Sequence, residues 1–158
     1  MSFQTLKAQT EQFLACHTIA VIGVSEDPKQ PANLNFRTLR DAGYHAIPVN
    51  PKHDQVEGVK CYPSIESIPE KIEAVMIFTP AIATTEAAIN CYKNGIKHIW
   101  IHGGFGGGSK SAAASQLLKD KPGLNFIDGA CPMMFLQNAD WFHHSVKHVM
   151  RFTGGLPV

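Results

Sequence analysis

Residues Thr18 to Ile22 form a continuous apolar run that enters a tight turn at Gly23-Val24-Ser25. A run without polar alternation fits a strand covered on both faces, as in a parallel sheet. Parallel neighbours need crossover connections, usually helical. That requirement restricts what the rest of the chain can be, and the rest of the chain meets it.

Further strands are predicted at His45–Val49, Ala74–Phe78, Lys97–Ile101 and Leu124–Ile127. Helical spacing separates them. Residues 2–15 read as a helix, with Phe3, Leu6, Phe13 and Leu14 near one stripe. Asn33 is placed to cap a second helix, which carries Leu34, Phe36 and Leu39 and ends at Gly43. Ala81 to Asn94 reads as a third helix, ending at Gly95. Ser109 is placed to cap a fourth, alanine-rich helix that runs to about Lys119. Val56 to Tyr62 reads as a connection ending in a small strand, and Ser64 to Pro69 as a short helical turn. Residues 139–152 read as a final amphipathic helix, whose stripe Trp141, Ser145, His148 and Phe152 packs either on the domain or on a second subunit. The class is α/β. The expected architecture is a Rossmann-like open parallel sheet of about five strands with helices on both faces. The whole chain, 1–158, is expected to form one domain, with its core at about 17–132.

Composition excludes several classes. The net charge of +1 gives no electrostatic case for nucleic acid or an anionic membrane. No apolar run approaches a membrane span, and the first residues show no signal-peptide pattern. Cys16, Cys61, Cys91 and Cys131 are far apart, with neither a C-x-x-C pair nor a disulfide framework. Reduced thiols in a cytoplasmic protein are the expectation. His144 and His148 are four apart on the last helix, but no third metal ligand is evident, so no metal site is expected.

Ligands of an open parallel sheet bind outside the carboxyl ends of its strands. Five segments meet that description: Gly23–Lys29, Asn50–Lys52, Phe78–Pro80, His102–Gly108 and Asp128–Cys131. Gly23, Val24 and Ser25 bring backbone amides, a hydroxyl and a helix start to one point, which suits a phosphate. Lys29 and Lys52 would supply the cations, because each helix-dipole contribution is only about 0.3–1 kcal/mol.

A dinucleotide fingerprint asks for G-x-G-x-x-G followed by an acidic residue after the second strand. This chain has Ser25 and Pro28 at the later glycine positions, and Asn50-Pro51-Lys52 after the second strand. A lysine there suits a phosphorylated ribose, as in coenzyme A or NADP. Phe78, Thr79 and Pro80 offer a flat apolar wall for an adenine or a pantetheine arm, or simply terminate a strand ahead of a helix. The run Gly103–Gly108 could wrap an anion, act as a lid, or link strand to helix. Cys131 could face the reactive end of a ligand or sit buried as a small hydrophobe. No nucleophile elbow, P-loop or acid–base pair is present.

Together these segments resemble the CoA-binding domain family. Its best-known member is the N-terminal domain of the succinyl-CoA synthetase alpha subunit, and stand-alone members exist. The resemblance runs from about Thr18 to Pro132. It is carried by Ile19 to Ser25, Gly43-Tyr44, Pro48 to Pro51, Gly58, Tyr62 to Pro69, Ala87, Ile89 and Gly95 to Lys97. It implies a sheet that binds CoA or an acyl-CoA. Gly23, Val24 and Ser25 would meet the phosphates, Asn50, Pro51 and Lys52 would flank the nucleotide, and Phe78, Thr79 and Pro80 would line the adenine or pantetheine path. Ala130 stands where the alpha subunit has an asparagine before its Cys-Pro, and the glycine run at 103–108 also departs from the stand-alone members. The second synthetase domain, with its phosphorylated histidine, is not part of this sequence, so a binding module without catalysis of its own is the expectation. The alternatives are a CoA-linked thiol or redox carrier using Cys131, and an NAD(P)-binding regulatory domain.

Overall fold

The computed structural model describes residues 3–104, 108–138 and 145 of the chain. The expected helix at 139–152, with its histidine pair, lies outside the described residues apart from Ser145.

The elements follow the expected alternation. They run α1 (Phe3–Leu14), β1 (Thr18–Ile22), α2 (Pro31–Asp41), β2 (His45–Val49), β3 (Gln55–Val56), β4 (Val59–Lys60), β5 (Ala74–Ile77), α3 (Ala81–Lys93), β6 (His98–Ile101), α4 (Ala112–Leu118) and β7 (Asn125–Asp128). Five strands form one sheet in the order β2-β1-β5-β6-β7. Every neighbouring pair in it is parallel, with Ile22 opposite Val49 and Ile77. The connection after β2 is a small antiparallel hairpin, β3–β4, rather than one short strand. The expected short helical turn is a 3-10 turn at Ile65–Ser67, with Ser64 at its N-cap.

Alternate residues of each strand serve opposite faces, as the pleat requires. Ile19, Val21, Ala74, Met76, Trp100 and Ile127 pack with Leu6 and Phe13 of α1 and with Phe36 and Leu39 of α2. Ala20, Ile22, Val75, Ile77, Ile99, Ile101 and Phe126 pack with Ala88 and Cys91 of α3 and with Ala114 and Leu118 of α4. The continuous apolar runs thus reflect two covered faces. Trp100 is fully buried, meets Phe13 edge-on at 5.2 Å, and donates its indole N–H to the Ala130 carbonyl at 2.8 Å. That bond fixes the segment beyond β7 against the sheet.

Two helix starts differ from expectation. Pro31 begins α2, with Gln30 as its N-cap, so Asn33 lies inside the first turn and caps nothing. Proline's fixed φ is already helical and its missing N–H is not needed at that position, so it starts the helix by itself. The cap of α4 is Ser111, not Ser109; its Oγ accepts from the Ala114 amide.

Candidate functional site

All five strands are parallel, so their carboxyl ends share one rim. The chain leaves β1 toward β2 on one side and leaves β5 toward β6 on the other. The loops after β1 and β5 therefore diverge and leave a crevice between them, the place where open α/β sheets bind ligands. Gly23 and Phe78 are the first residues beyond these two strands. Their backbones touch: a Cβ added at Gly23 would lie 3.0 Å from the Phe78 carbonyl oxygen. Gly23 also has φ of 106°, which disfavours any side chain.

The first two loops are joined by one side chain. Asn50 donates Nδ2–H to the Val24 carbonyl at 2.8 Å and accepts the Lys52 amide on Oδ1 at 3.0 Å. The turn Gly23-Val24-Ser25 and the segment Asn50-Pro51-Lys52 are thus one bonded unit. Lys29 and Lys52 are both exposed.

The turn is less open to an anion than its sequence suggests. The Gly23 amide donates to the Val49 carbonyl at 2.9 Å, and the Ser25 amide donates to Asn33 Oδ1 at 3.1 Å. The amides of Val24 and Glu26 have no hydrogen-bond partner among the described residues. The Asp27 carboxylate accepts from the Lys29 amide and the Gln30 side chain, and these bonds hold it below the usual carboxylate range. An anion here would therefore meet two amides, the Ser25 hydroxyl and the two lysines, opposed by Glu26 and Asp27.

Three residues behind the turn were not singled out as site residues. Asn33 is buried, and besides accepting from Ser25 it donates Nδ2–H to the Ser25 carbonyl at 2.7 Å and to Glu57 Oε1 at 2.6 Å. Arg37 pairs with Glu57 at 2.6 Å and donates to the Pro28 carbonyl at 2.9 Å. Glu57, on the β3–β4 turn, has φ of 51°. The only local trace of this arrangement is the Glu57-Gly58 pair, a plausible hairpin turn.

The β5–β6 side of the crevice is aromatic. Phe78 stacks on His102 with ring centroids 4.8 Å apart and planes at 29°. Burial pushes the His102 imidazole down to about 4. Thr79 Oγ1 pairs with Thr84 Oγ1 at 2.9 Å, and Pro80 is exposed at the N-cap of α3. Gly103 passes so close to Gly129 that a Cβ would fall 1.5 Å from the Gly129 carbonyl oxygen, so no side chain fits. The Lys110 side chain lies across Gly129, a cation at the β7 end of the rim that the sequence did not flag. Residues 105–107 of the glycine run lie outside the described residues.

Cys131 is buried and belongs to the apolar cluster that holds Trp100, Ile127 and Met134. No disulfide joins the four cysteines. Among the described residues, no group of three or more His, Cys, Asp or Glu side chains is placed to hold a metal, and no helix is long and apolar enough to cross a membrane.

Fold and rim define a doubly wound parallel α/β protein with its crevice between β1 and β5. Residues 17–137 match the family model described as a CoA binding domain, and the chain belongs to that family. It is 30% identical over 116 residues to the uncharacterized protein YneT of Bacillus subtilis, covering 73% of this chain and 83% of that one. It is 37% identical over 90 residues to the alpha subunit of the ADP-forming acetate–CoA ligase II of Pyrococcus furiosus. That match covers 56% of this chain but only 20% of the ligase subunit. Among solved structures, a hypothetical protein from Pyrococcus horikoshii OT3 superposes with a TM-score of 0.71 at 33% identity, over 81% of this chain and 87% of that one.

Proposed function

We propose that this chain is a cytoplasmic binding module for coenzyme A or an acyl-CoA, without catalysis of its own. Family membership supports CoA as the ligand. The observation that carries the binding mode is the Asn50 side chain, which bonds Val24 and Lys52 at once. A phosphate at the turn and a second phosphate at Lys52 would thus be read by one rigid unit.

The residues fit such a ligand. The pyrophosphate would sit at the Val24 and Glu26 amides and the Ser25 hydroxyl, near Lys29. The 3′-phosphate would pair with Lys52 beside Asn50 and Pro51. The adenine or pantetheine arm would pass Phe78, Thr79 and Pro80. A diol-gripping carboxylate, which an NAD site needs, is replaced by Lys52. A reacting thiol at Cys131 gains no support from the burial of that residue in the core.

Isothermal titration against CoA, dephospho-CoA and NADP tests this reading. CoA is expected to bind about tenfold more tightly than dephospho-CoA, a difference of about 1.4 kcal/mol. Lys52→Ala should erase that difference. Equal affinity for the two ligands in the unchanged protein removes the role of Lys52, and absence of CoA binding removes the proposal.

A further inference from the structure

His102 is a largely buried side chain, 8% exposed, whose ring makes no hydrogen bond among the described residues. Its backbone is fully engaged: the amide donates to the Ile77 carbonyl at 3.0 Å, and the carbonyl accepts from the Ser109 amide at 2.8 Å. The ring is held between Phe78 and the passing chain at Gly104, where a Cβ would lie 2.9 Å from Cε1. Among the described residues, Gln9 Oε1, Asn35 Oδ1, Asn125 Oδ1 and Asp128 Oδ1 are wholly enclosed without a partner, but each of those side chains bonds through its other polar atom. Asn33, Thr84 and Ser111 all have partners.

The His102 ring nitrogens are not among those wholly enclosed atoms, so they keep access to solvent at the rim, where a ligand can bond them. The imidazole is neutral at pH 7, because burial disfavours its charged form. It offers one N–H donor and one nitrogen acceptor, and no positive charge for a phosphate. The crevice is therefore graded. Its β1–β2 side carries Lys29 and Lys52, its β5–β6 side carries Phe78 and His102, and Lys110 lies farther along the rim at Gly129. CoA is graded in the same way, with a charged nucleotide at one end and a neutral pantetheine arm of amides ending in a thiol.

We infer that His102 is a specificity residue that hydrogen-bonds the neutral pantetheine arm of CoA and so separates CoA from nucleotides that lack the arm. This rests on the CoA reading above. Phe78 orients the ring and shields the bond from water.

The test compares CoA with adenosine 3′,5′-bisphosphate, which keeps the nucleotide end and lacks the arm. Calorimetry is run on the unchanged protein, on His102→Phe and on His102→Gln, each checked for an intact thermal transition. His102→Phe is expected to weaken CoA about three- to tenfold, the loss of one or two neutral hydrogen bonds. Affinity for the bisphosphate should stay within about twofold on the same reasoning. His102→Gln, which keeps a donor and an acceptor, should recover most of the CoA affinity. In the unchanged protein, the ring-nitrogen resonances of His102 should move on adding CoA and stay still on adding the bisphosphate. Equal weakening of both ligands, or undiminished CoA binding by His102→Phe, overturns the inference while leaving the CoA reading intact. Failure of the unchanged protein to bind CoA overturns both.

Discussion

Glu57 and Asn33, on different elements and 24 positions apart in sequence, share a hydrogen bond of 2.6 Å beneath the rim turn. Through it the β3–β4 hairpin holds the loop after β1. Asn33 uses its other bonds on Ser25, accepting its amide and donating to its carbonyl, so the turn is clamped on both sides. Arg37 satisfies the same Glu57 oxygen and anchors Pro28. A buried asparagine inside a helix is unfavourable by propensity, and this network is what retains it.

Asn33→Ala should therefore do more harm than a lost helix cap. It leaves the Ser25 amide and carbonyl without their partner and removes one donor from Glu57. Leaving such groups unsatisfied costs about 1–3 kcal/mol. Urea denaturation is expected to show a loss of about 2–3 kcal/mol, with a smaller loss for Glu57→Gln, which keeps an acceptor oxygen. An unchanged urea midpoint for Asn33→Ala would show that the clamp contributes nothing to stability.

Gly23→Ala tests the contact between the two loops. The new Cβ would meet the Phe78 carbonyl at 3.0 Å, and a backbone atom cannot rotate away as a side chain can. With φ of 106° the strain is also local. The expected cost is about 1–3 kcal/mol, seen as a lower melting temperature. CoA affinity should fall with it, because the loop that carries Val24 must shift. Wild-type stability in Gly23→Ala would mean that the crevice is looser than this contact indicates.

Much of this architecture is local and hence legible. The apolar runs at Thr18–Ile22, Ala74–Ile77 and His98–Ile101 declare covered strands, because period and burial are written within five residues. The nearness of Asn50 to the first turn also follows from strand order, since β2 neighbours β1. What was not legible is long-range. Asn33 looks like a cap because caps are a local rule, whereas its partner Glu57 arrives on a hairpin 24 residues later. The amides of Gly23 and Ser25 looked open for the same reason: Val49 and Asn33 reach them only after folding. His102 reads as one residue of a glycine-rich loop until β5 brings Phe78 against it.

Burial of His102 predicts a pH dependence of stability. Its folded value of about 4 lies below the ordinary histidine value of 6.5. Between these two the unfolded chain binds more protons than the folded one, so stability rises with pH through that window. The contribution is fully present above about pH 6.5 and is lost as the pH falls toward 4, amounting to about 2 kcal/mol already at pH 5. His98 is shifted the same way by burial, with the Glu73 charge opposing. Comparison with His102→Gln isolates the first histidine. The stability of the unchanged protein relative to the variant should fall by about 2 kcal/mol from pH 7 to pH 5 in urea titrations. A difference that stays constant with pH would show that His102 titrates normally.

Thiol reactivity separates a CoA-binding module from a carrier that works through Cys131. Reactivity follows the thiolate and its access. Cys91 is fully buried, and that burial pushes its thiol up to about 12. Cys61 is buried and also raised. Cys131 is buried in the apolar cluster with Trp100 and Met134. Cys16 is partly exposed, although burial first and the Glu73 charge second raise its thiol as well. Iodoacetamide applied to the native protein near pH 8, followed by peptide mass mapping, should label Cys16 first and slowly. The other three should react only as the chain unfolds, with Cys91 last. Saturating CoA should leave the labelling of Cys16 unchanged, because that residue lies between α1 and β1, at the amino end of the strand. If Cys131 were labelled ahead of Cys16 in the native state and protected by CoA, the thiol would be open to the rim. The carrier reading would then displace the one argued above.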